Sequence, residues 1–485
     1  MKYFGRIMGT MLLAGLLSLC AVGVSAESAQ LTGTETAVTA QAGVTASGIC
    51  GEKLTWEFFD DGELVISGEG KMFSCYYDMP WYSVKDSVSK VTINNGVTDI
   101  GPFAFCEFTG LTSVSIPDSV VAIGAYSFER CSSLPSVVIP NSVSFIGDYA
   151  FNECTGLSSA AIPHSVTATG FGVFSNCTGL TSVDIPNSLT SIEAYMFRNC
   201  TKLTNVSVPE GVTSIGKFAF YGCTGLTNVD LPDTLTSIGY ASFDTCEKLT
   251  SIHIPDNVTT LDDYAFNECT GLTGISLPNK VTSIGKYAFY GCTSMTTISL
   301  PKSVTFIGEC AFRKCSGLTS IDIPIKVSSI GYETFSNCEA LTNITVPKNV
   351  ASIGNSAFFF CKSLESVTVL SKTAVYAENV FYGTPKNFTL YGYEGSTTQA
   401  YAEANGHKFV VIEEPDAPEL PGDISGDGTL NIDDALALFQ YSILPDVYPV
   451  DYIWEMDFTG DGEVNIDDAL LLFQHSMLPD VYPLF

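Results

Sequence analysis

The sequence of 485 residues predicts a leucine-rich-repeat solenoid with a small all-α module at its C-terminus. Three observations predict it. Prolines recur every 23 residues from Pro117 to Pro347, and cysteines every 23 from Cys131 to Cys361. Phenylalanines keep the same step from Phe105 to Phe381, and a fixed period of this length with recurrent apolar positions is the signature of such a solenoid. In the last sixty residues a second pattern appears, in which GDG, NIDDAL, LFQ and LPDVYP each occur twice at an offset of 34.

Composition sets the outer limits. Hydrophobic residues make up 46% and aromatics 12%, enough for a long core. With 52 acidic and 22 basic side chains the net charge is −30, which argues against nucleic acid or insertion into an anionic membrane. Charged residues are only 15%, and Ser, Thr and Gly fill the difference.

The chain begins with the pattern of an export signal (residues 1–26). Lys2 and Arg6 precede an apolar run from Met8 to Val24, and Val24-Ser25-Ala26 has the small residues of a cleavage site. Cys20 offers a lipoprotein alternative, which the bulky Leu19 before it disfavours. A secreted protein is expected. Residues 27–46 read as a flexible Ser/Thr/Ala/Gly linker. Residues 47–86 read as a β cap, with a hairpin from Trp56 to Ile66 around Asp60-Asp61-Gly62. Cys50 and Cys75 lie off the period near the N-terminal end, and one bridge between them is an open alternative in an exported chain.

Residues 87–385 hold about 13 coils, a ladder of about 58 Å at ~4.8 Å per strand. In one coil, Leu111, Val114 and Ile116 are expected to point inward, with Thr112, Ser113 and Ser115 outward. Pro117 ends the strand because it has no N–H to donate. Val120 and Ile123 return to the core, Gly124 permits a turn, and a short helical or irregular segment carries Phe128 inward. The periodic cysteines read as a buried column of thiols; disulfide or metal chemistry is the alternative. Cys106 and Cys310 fall off the period and receive no role. Residues 386–412 predict strand, helix and strand as a closing cap, and 413–422 a Pro-rich acidic linker.

The repeat pattern L-x-x-V-x-I-P, V-x-x-I-G, A-F-x-x-C, seen in LTNVDLPDTLTSIGYASFDTC, resembles the leucine-rich repeats of bacterial surface antigens of the treponemal type. That resemblance implies a fold and leaves the function open, since such proteins act as adhesins, binding surfaces and spacers.

The tail carries the most specific chemistry. Residues 423–434 (DISGDGTLNIDD) and 457–468 (DFTGDGEVNIDD) match a twelve-residue calcium loop, with oxygen ligands at positions 1, 3, 5, 9 and 12 and glycine at 6. The first loop offers Asp423, Ser425, Asp427, Asn431 and Asp434 with the Thr429 carbonyl. The second offers Asp457, Thr459, Asp461, Asn465 and Asp468 with the Glu463 carbonyl, so two calcium ions are expected. Pro415, Pro418 and Pro421 leave no entering helix, and one helix follows each loop. A solvated acidic turn without metal is the plainer alternative.

Residues 423–485 resemble a cellulosomal dockerin, in which duplicated loop–helix units have Asp at position 12. The resemblance implies two helices packed antiparallel about two calcium ions, bound to a cohesin module of a scaffoldin. By position it assigns recognition to Ile432, Asp433, Phe439 and Gln440 in one copy, and to Ile466, Asp467, Phe473 and Gln474 in the other. The Ser-Thr pair of the best-known dockerins is absent here. For Phe439 and Phe473, packing between the helices is the alternative.

Catalysis finds little support. His164, His253, His407 and His475 stand in no metal spacing, and G-x-S-x-G, H-E-x-x-H and phosphate-loop motifs are absent. Two further surfaces are candidates for the solenoid's unknown protein or surface ligand. One is the polar strand face of Thr181, Ser182, Thr204, Asn205, Thr227 and Asn228. The other is the ring stripe Tyr126, Tyr149, Tyr195, Phe218, Tyr264 and Tyr287. The expectation is a secreted, non-catalytic scaffold that docks through its tail and is linked to polysaccharide breakdown by association. A free adhesin with a structural calcium clamp, or an accessory hydrolase, are the alternatives.

Overall fold

Very short parallel strands stack along the repeat region, in an interrupted set before each proline and a more regular set after it. The computed structural model describes residues 43–74, 78–413, 422–424, 430–443, 456–460 and 463–477. The expected export signal, most of the linker and Cys75 lie outside the described residues. Cys50 is buried.

Three antiparallel strands open the fold: β1 (Val44–Ile49), β2 (Leu54–Phe59) and β3 (Glu63–Gly68). Gly62, at φ +88°, takes the left-handed turn between β2 and β3. The first strand begins at Val44, inside the segment expected as linker. Its alternation is too polar for a sheet signal, and the edge of β2 pairs it. From β3 onward pairing becomes parallel: Glu63 faces Lys90, and Lys90 faces Ser113, one coil later.

Many coils have two strands where the sequence reading expected one, and in the others only the second is formed, as at Phe145–Ile146, Thr260–Leu261 and Phe306–Ile307. The first precedes the proline, as at Ser182–Asp184, and pairs in steps of 23 with its neighbours. The second follows it, as at Ser191–Ile192, Ser214–Ile215 and Ser237–Ile238, with Ile192, Ile215 and Ile238 stacked in register. A two-residue strand has no alternation to read, which is why the second ladder stayed hidden. Between the strands Val120 N–H donates to the Pro117 carbonyl, closing a turn.

The third side of each coil is a run of turns, without helix among the described residues. Its amides alternate. Those of Tyr126, Phe128 and Arg130 donate to the next coil's Asp148, Ala150 and Asn152, while those of Ser127, Glu129 and Cys131 bond three residues back. Tyr126 and Arg130 sit at φ 58° and 60°, and the pair recurs in later coils (Tyr149 and Glu153, Tyr195 and Asn199). These left-handed positions are held by the ladder on both sides.

Gly124 turns out to serve a close approach. A Cβ there would sit 2.6 Å from Pro102 N and 2.7 Å from Ile100 O of the preceding coil. Gly147, Gly216 and Gly308 meet backbone at similar range. The interval of 23 located this column, but the reason for glycine is contact between coils.

The core is a column of rings. Phe105 to Phe381 stack coil on coil with centroids 5.2–6.0 Å apart and all but Phe381 fully buried. Trp81 stacks on Phe105 at 5.6 Å and caps the N-terminal end, its indole N–H donating to the Ala104 carbonyl. At the other end Phe388, Tyr401 and His407 close over Phe381. That cap is strand Thr389–Gly392, helix α1 (Thr397–Asn405) and strand Lys408–Val411. Ser396 caps α1 at its start and Gly406, at φ 70°, ends it.

Candidate docking module and solenoid surfaces

The tail module builds a small core of its own. Helices α2 (Ile432–Ile443) and α3 (Ile466–Met477) bury Ala435, Leu438, Ala469 and Leu472 with Met456. Ile424, Leu430, Phe458 and Val464 from the loops pack against them. Nearly every residue has its counterpart 34 positions away, so the core has the pseudo-symmetry of the duplication. Gly422, at φ +92°, leaves room for the Phe458 ring, which ties the start of one loop to the other.

Both loop-closing carboxylates are fully buried. Asp434 accepts the Asn431 N–H at 2.9 Å, and the Asn431 side-chain oxygen accepts the Asp433 N–H at 2.7 Å. The second copy repeats this with Asn465, Asp467 and Asp468. The pattern is a reciprocal cap of each helix, which alone gives position 12 a structural task. The second loop shows more. The Thr459 hydroxyl lies 3.0 Å from Asp468 Oδ1 and 3.4 Å from Asp457 Oδ1, and Thr459 N–H donates to Asp468 at 2.9 Å. Loop positions 1, 3 and 12 therefore converge, and position 9 is tied to 12. Hydrogen bonds already offset the burial of Asp468, and the converging ligands are oxygens only, the chemistry that suits a hard divalent cation. Asp423 of the first loop is nearly buried. Ser425, Asp427, Thr429 and Asp461 lie outside the described residues.

An apolar groove runs over α2 and α3. Ile432, Asp433 and Phe439 line it with Ile466, Asp467 and Phe473, which brings six of the eight assigned recognition residues together. Gln440 and Gln474 are half-buried beside it. Phe439 and Phe473 are 39% and 41% exposed, and Leu438 and Leu472 fill the interhelical core in their place. Leu436 and Leu470, at 53% and 52%, complete the floor and were missed in the sequence. Their spacing in 432, 436, 439 and 443 is a second helical stripe beside the core pair 435 and 438, which is the signal that marks them.

The solenoid's candidate surfaces are largely taken up by stacking. Thr181 and Thr227 donate their hydroxyls to the Ser158 and Thr204 carbonyls of the preceding coil. Ser142, Ser165 and Ser303 do the same one turn further on. The ring stripe stacks on itself: Tyr126 on Tyr149 at 5.3 Å, Tyr195 on Phe218 at 5.1 Å, Tyr264 on Tyr287 at 4.7 Å. At Gly172 the stripe skips a ring and Tyr149 lies against the glycine.

The periodic thiols form a column in which each S–H donates to the phenylalanine carbonyl of the preceding coil. Cys131 meets Phe105 O at 3.2 Å, Cys223 meets Phe197 O at 3.0 Å, and Cys361 meets Phe335 O at 3.2 Å. Burial pushes the Cys223, Cys315 and Cys361 thiols up to about 12. Off the period, Cys106 faces Glu129 and is also pushed up to about 12, by burial and then by the Glu129 charge. These thiols stay protonated donors and are poor nucleophiles. Among the described residues no three His, Cys, Asp or Glu side chains cluster as a metal site, and no helix is long and apolar enough to cross a membrane.

The repeats match the model for the BspA type leucine rich repeat region, in six copies over residues 81–204, 190–316 and 259–388. A leucine-rich repeat protein from Bacteroides ovatus ATCC 8483 is similar at 27% identity and a TM-score of 0.58, over 75% of this chain and all of that one. A leucine-rich repeat protein from Eubacterium ventriosum ATCC 27560 is similar at 23% identity and a TM-score of 0.48, covering 66% of this chain and 96% of its own. A leucine rich cell surface protein from Faecalibacterium prausnitzii A2-165 is similar at 25% and 0.43, covering 73% and 96%. No curated protein matches the chain. The duplicated loop–helix module lies beyond the residues matched by the repeat model.

Proposed function

Since this chain belongs to the BspA-type leucine-rich-repeat family, we propose that it is a secreted, non-catalytic interaction scaffold whose tail module docks it into a larger assembly. The docking partner is a cohesin-type module of a scaffoldin, and docking requires calcium. The observation that carries this reading is the groove of Ile432, Leu436 and Phe439 with their counterparts Ile466, Leu470 and Phe473. It is apolar, exposed and placed directly after two acidic loops.

The residues fit two calcium ions. Asp423, Asn431 and Asp434 would hold one, with Ser425, Asp427 and the Thr429 carbonyl by sequence position. Asp457, Thr459, Asn465 and Asp468 would hold the other, with Asp461 and the Glu463 carbonyl. Bound calcium supplies positive charge against the buried carboxylates. The chain's own contribution is to fix the first turn of each helix through the Asn431–Asp434 and Asn465–Asp468 caps. That in turn sets the groove. The pseudo-twofold pairing of anchors supports docking in two orientations related by 180°.

The solenoid would hold the docked module on a stiff rod and present its exposed faces to a protein or cell-surface ligand. Export and extracellular location are part of this proposal, on the strength of residues 1–26.

The test is binding of the full chain to immobilised cohesin modules in calcium and in chelator. Binding is expected in calcium and lost in chelator. Leu436→Asp together with Leu470→Asp, which disables both orientations, should weaken it by about 2 kcal/mol, roughly 30-fold. Equal binding in chelator, or no effect of the paired substitutions, refutes the reading. Inactivating one copy alone should leave binding through the other orientation.

A further inference from the structure

The turn after each proline changes sign along the rod. In earlier coils it holds Asp118, Glu210, Asp233 and Asp256. In the last five coils the same turn carries Lys280, Lys302, Lys326, Lys348 and Lys372. This is a basic ridge on a chain with only 22 basic residues and a net charge of −30. Successive coils lie about 4.8 Å apart, less than the Debye length of about 8 Å at physiological salt, so the lysines act as one stripe of potential. Residues 413–485, by contrast, contain 17 acidic residues and no Lys or Arg.

The two meet. Lys326 Nζ lies 2.8 Å from Glu463 Oε1, a pair separated by 137 residues, and Lys326 is half-buried where the lysines of the neighbouring coils are exposed. Residues Val44–Phe485 form one compact unit. We infer that the lysine ridge is a seat for this chain's own acidic tail module. One exposed ion pair is weak. The short linker at 413–422 changes the arithmetic, because it keeps the module at an effective concentration on the order of millimolar, where a few screened contacts bias its position. Leu436, Phe439, Leu470 and Phe473 stay exposed in this arrangement, so the seat orients the docking groove without covering it. The seat is electrostatic and independent of what the groove binds.

Carbodiimide coupling of amines to carboxylates in the full chain, read by mass spectrometry, tests it. At about 50 mM salt a Lys326–Glu463 isopeptide is expected within single chains, its yield falling several-fold near 0.5 M as screening shortens to about 4 Å. Lys280→Gln, Lys302→Gln and Lys348→Gln together should lower that yield although the coupled pair is intact. Lys326→Glu abolishes it, and Lys326→Glu with Glu463→Lys restores a coupling with reversed partners. A yield that ignores salt and the triple substitution overturns the seat. So does coupling only between chains, rising with protein concentration. Calcium binding measured on the same sample separates the two readings: a calcium-loaded module that never couples to the ridge removes the seat and leaves the docking proposal standing.

Discussion

The solenoid and the tail module solve the same problem with opposite amounts of redundancy. Each coil leaves one face for its neighbour, and thirteen phenylalanine rings, a thiol column and two strand ladders repeat that contact. Removing any one contact leaves many like it. The module has two copies only, and a core cluster of five buried hydrophobic residues among the described residues. The two buried carboxylates Asp434 and Asp468 tie the starts of its helices. Repetition thus gives a rod that holds itself, whereas the proposal makes the duplicated module depend on charge neutralised from outside. Under the proposed function, that difference makes the rod the support and the module the switchable contact.

Phe243→Ala should break the rod side most severely. Its ring lies between Phe220 and Phe266 at 5.3 and 5.4 Å, and the cavity should cost about 3–5 kcal/mol. Thermal unfolding followed by circular dichroism should show the loss while calcium binding by the tail is unchanged. On the module side, Asp468→Ala strands the amides of Thr459 and Asn465, at about 1–3 kcal/mol. Hydrogen exchange should rise in α2 and α3 and stay constant in the coils.

Asp244 sharpens the contrast, because the rod too contains a buried carboxylate. Burial raises its carboxyl from 3.8 to about 6, against the opposing hydrogen bond from Asn267. The folded state prefers the protonated form. The stability linked to this group is therefore full below about pH 4 and lost as pH rises through about 6. Asp244→Asn should stabilise the chain at about pH 7 by about 1–3 kcal/mol, because each tenfold difference in proton affinity between folded and unfolded chain is worth about 1.36 kcal/mol. Almost no gain is expected at about pH 3, where the carboxyl is mostly protonated in both states. Urea titrations at the two pH values check this.

The thiols give the smallest signal near neutrality. Folded Cys223, Cys315 and Cys361 ionise only near about 12, so the ordinary thiol range favours the unfolded chain as pH rises from about 9. Stability should be flat below that and fall above it. Alkylation of these thiols at about pH 8 should wait for unfolding.

The rod was legible because its period repeats residue types whose chemistry is unambiguous. Phenylalanine at every twenty-third position has to be core, and the cysteines read correctly as a buried column. What escaped was the reason for particular residues. Gly124 looked like a turn former, since sequence shows spacing but not the backbone of the coil beneath. Thr181 and Thr227 looked like free outward polarity, yet their hydroxyls bridge coils. In the tail, loop position singled out Asp434 and Asp468, which are buried, and the resemblance singled out Phe439 and Phe473, which line the groove. Leu436 and Leu470 were masked by Ala435 and Leu438 beside them, because a helix with apolar residues on two faces shows no single stripe.

Calorimetric titration of the full chain with calcium probes the central claim most directly. Two ions should bind, with α2 and α3 gaining protection from exchange as they do. One ion should remain in Asp434→Ala, and none in Asp434→Ala combined with Asp468→Ala. A wild-type chain that takes up no calcium, or whose helices are equally protected before and after, would contradict it.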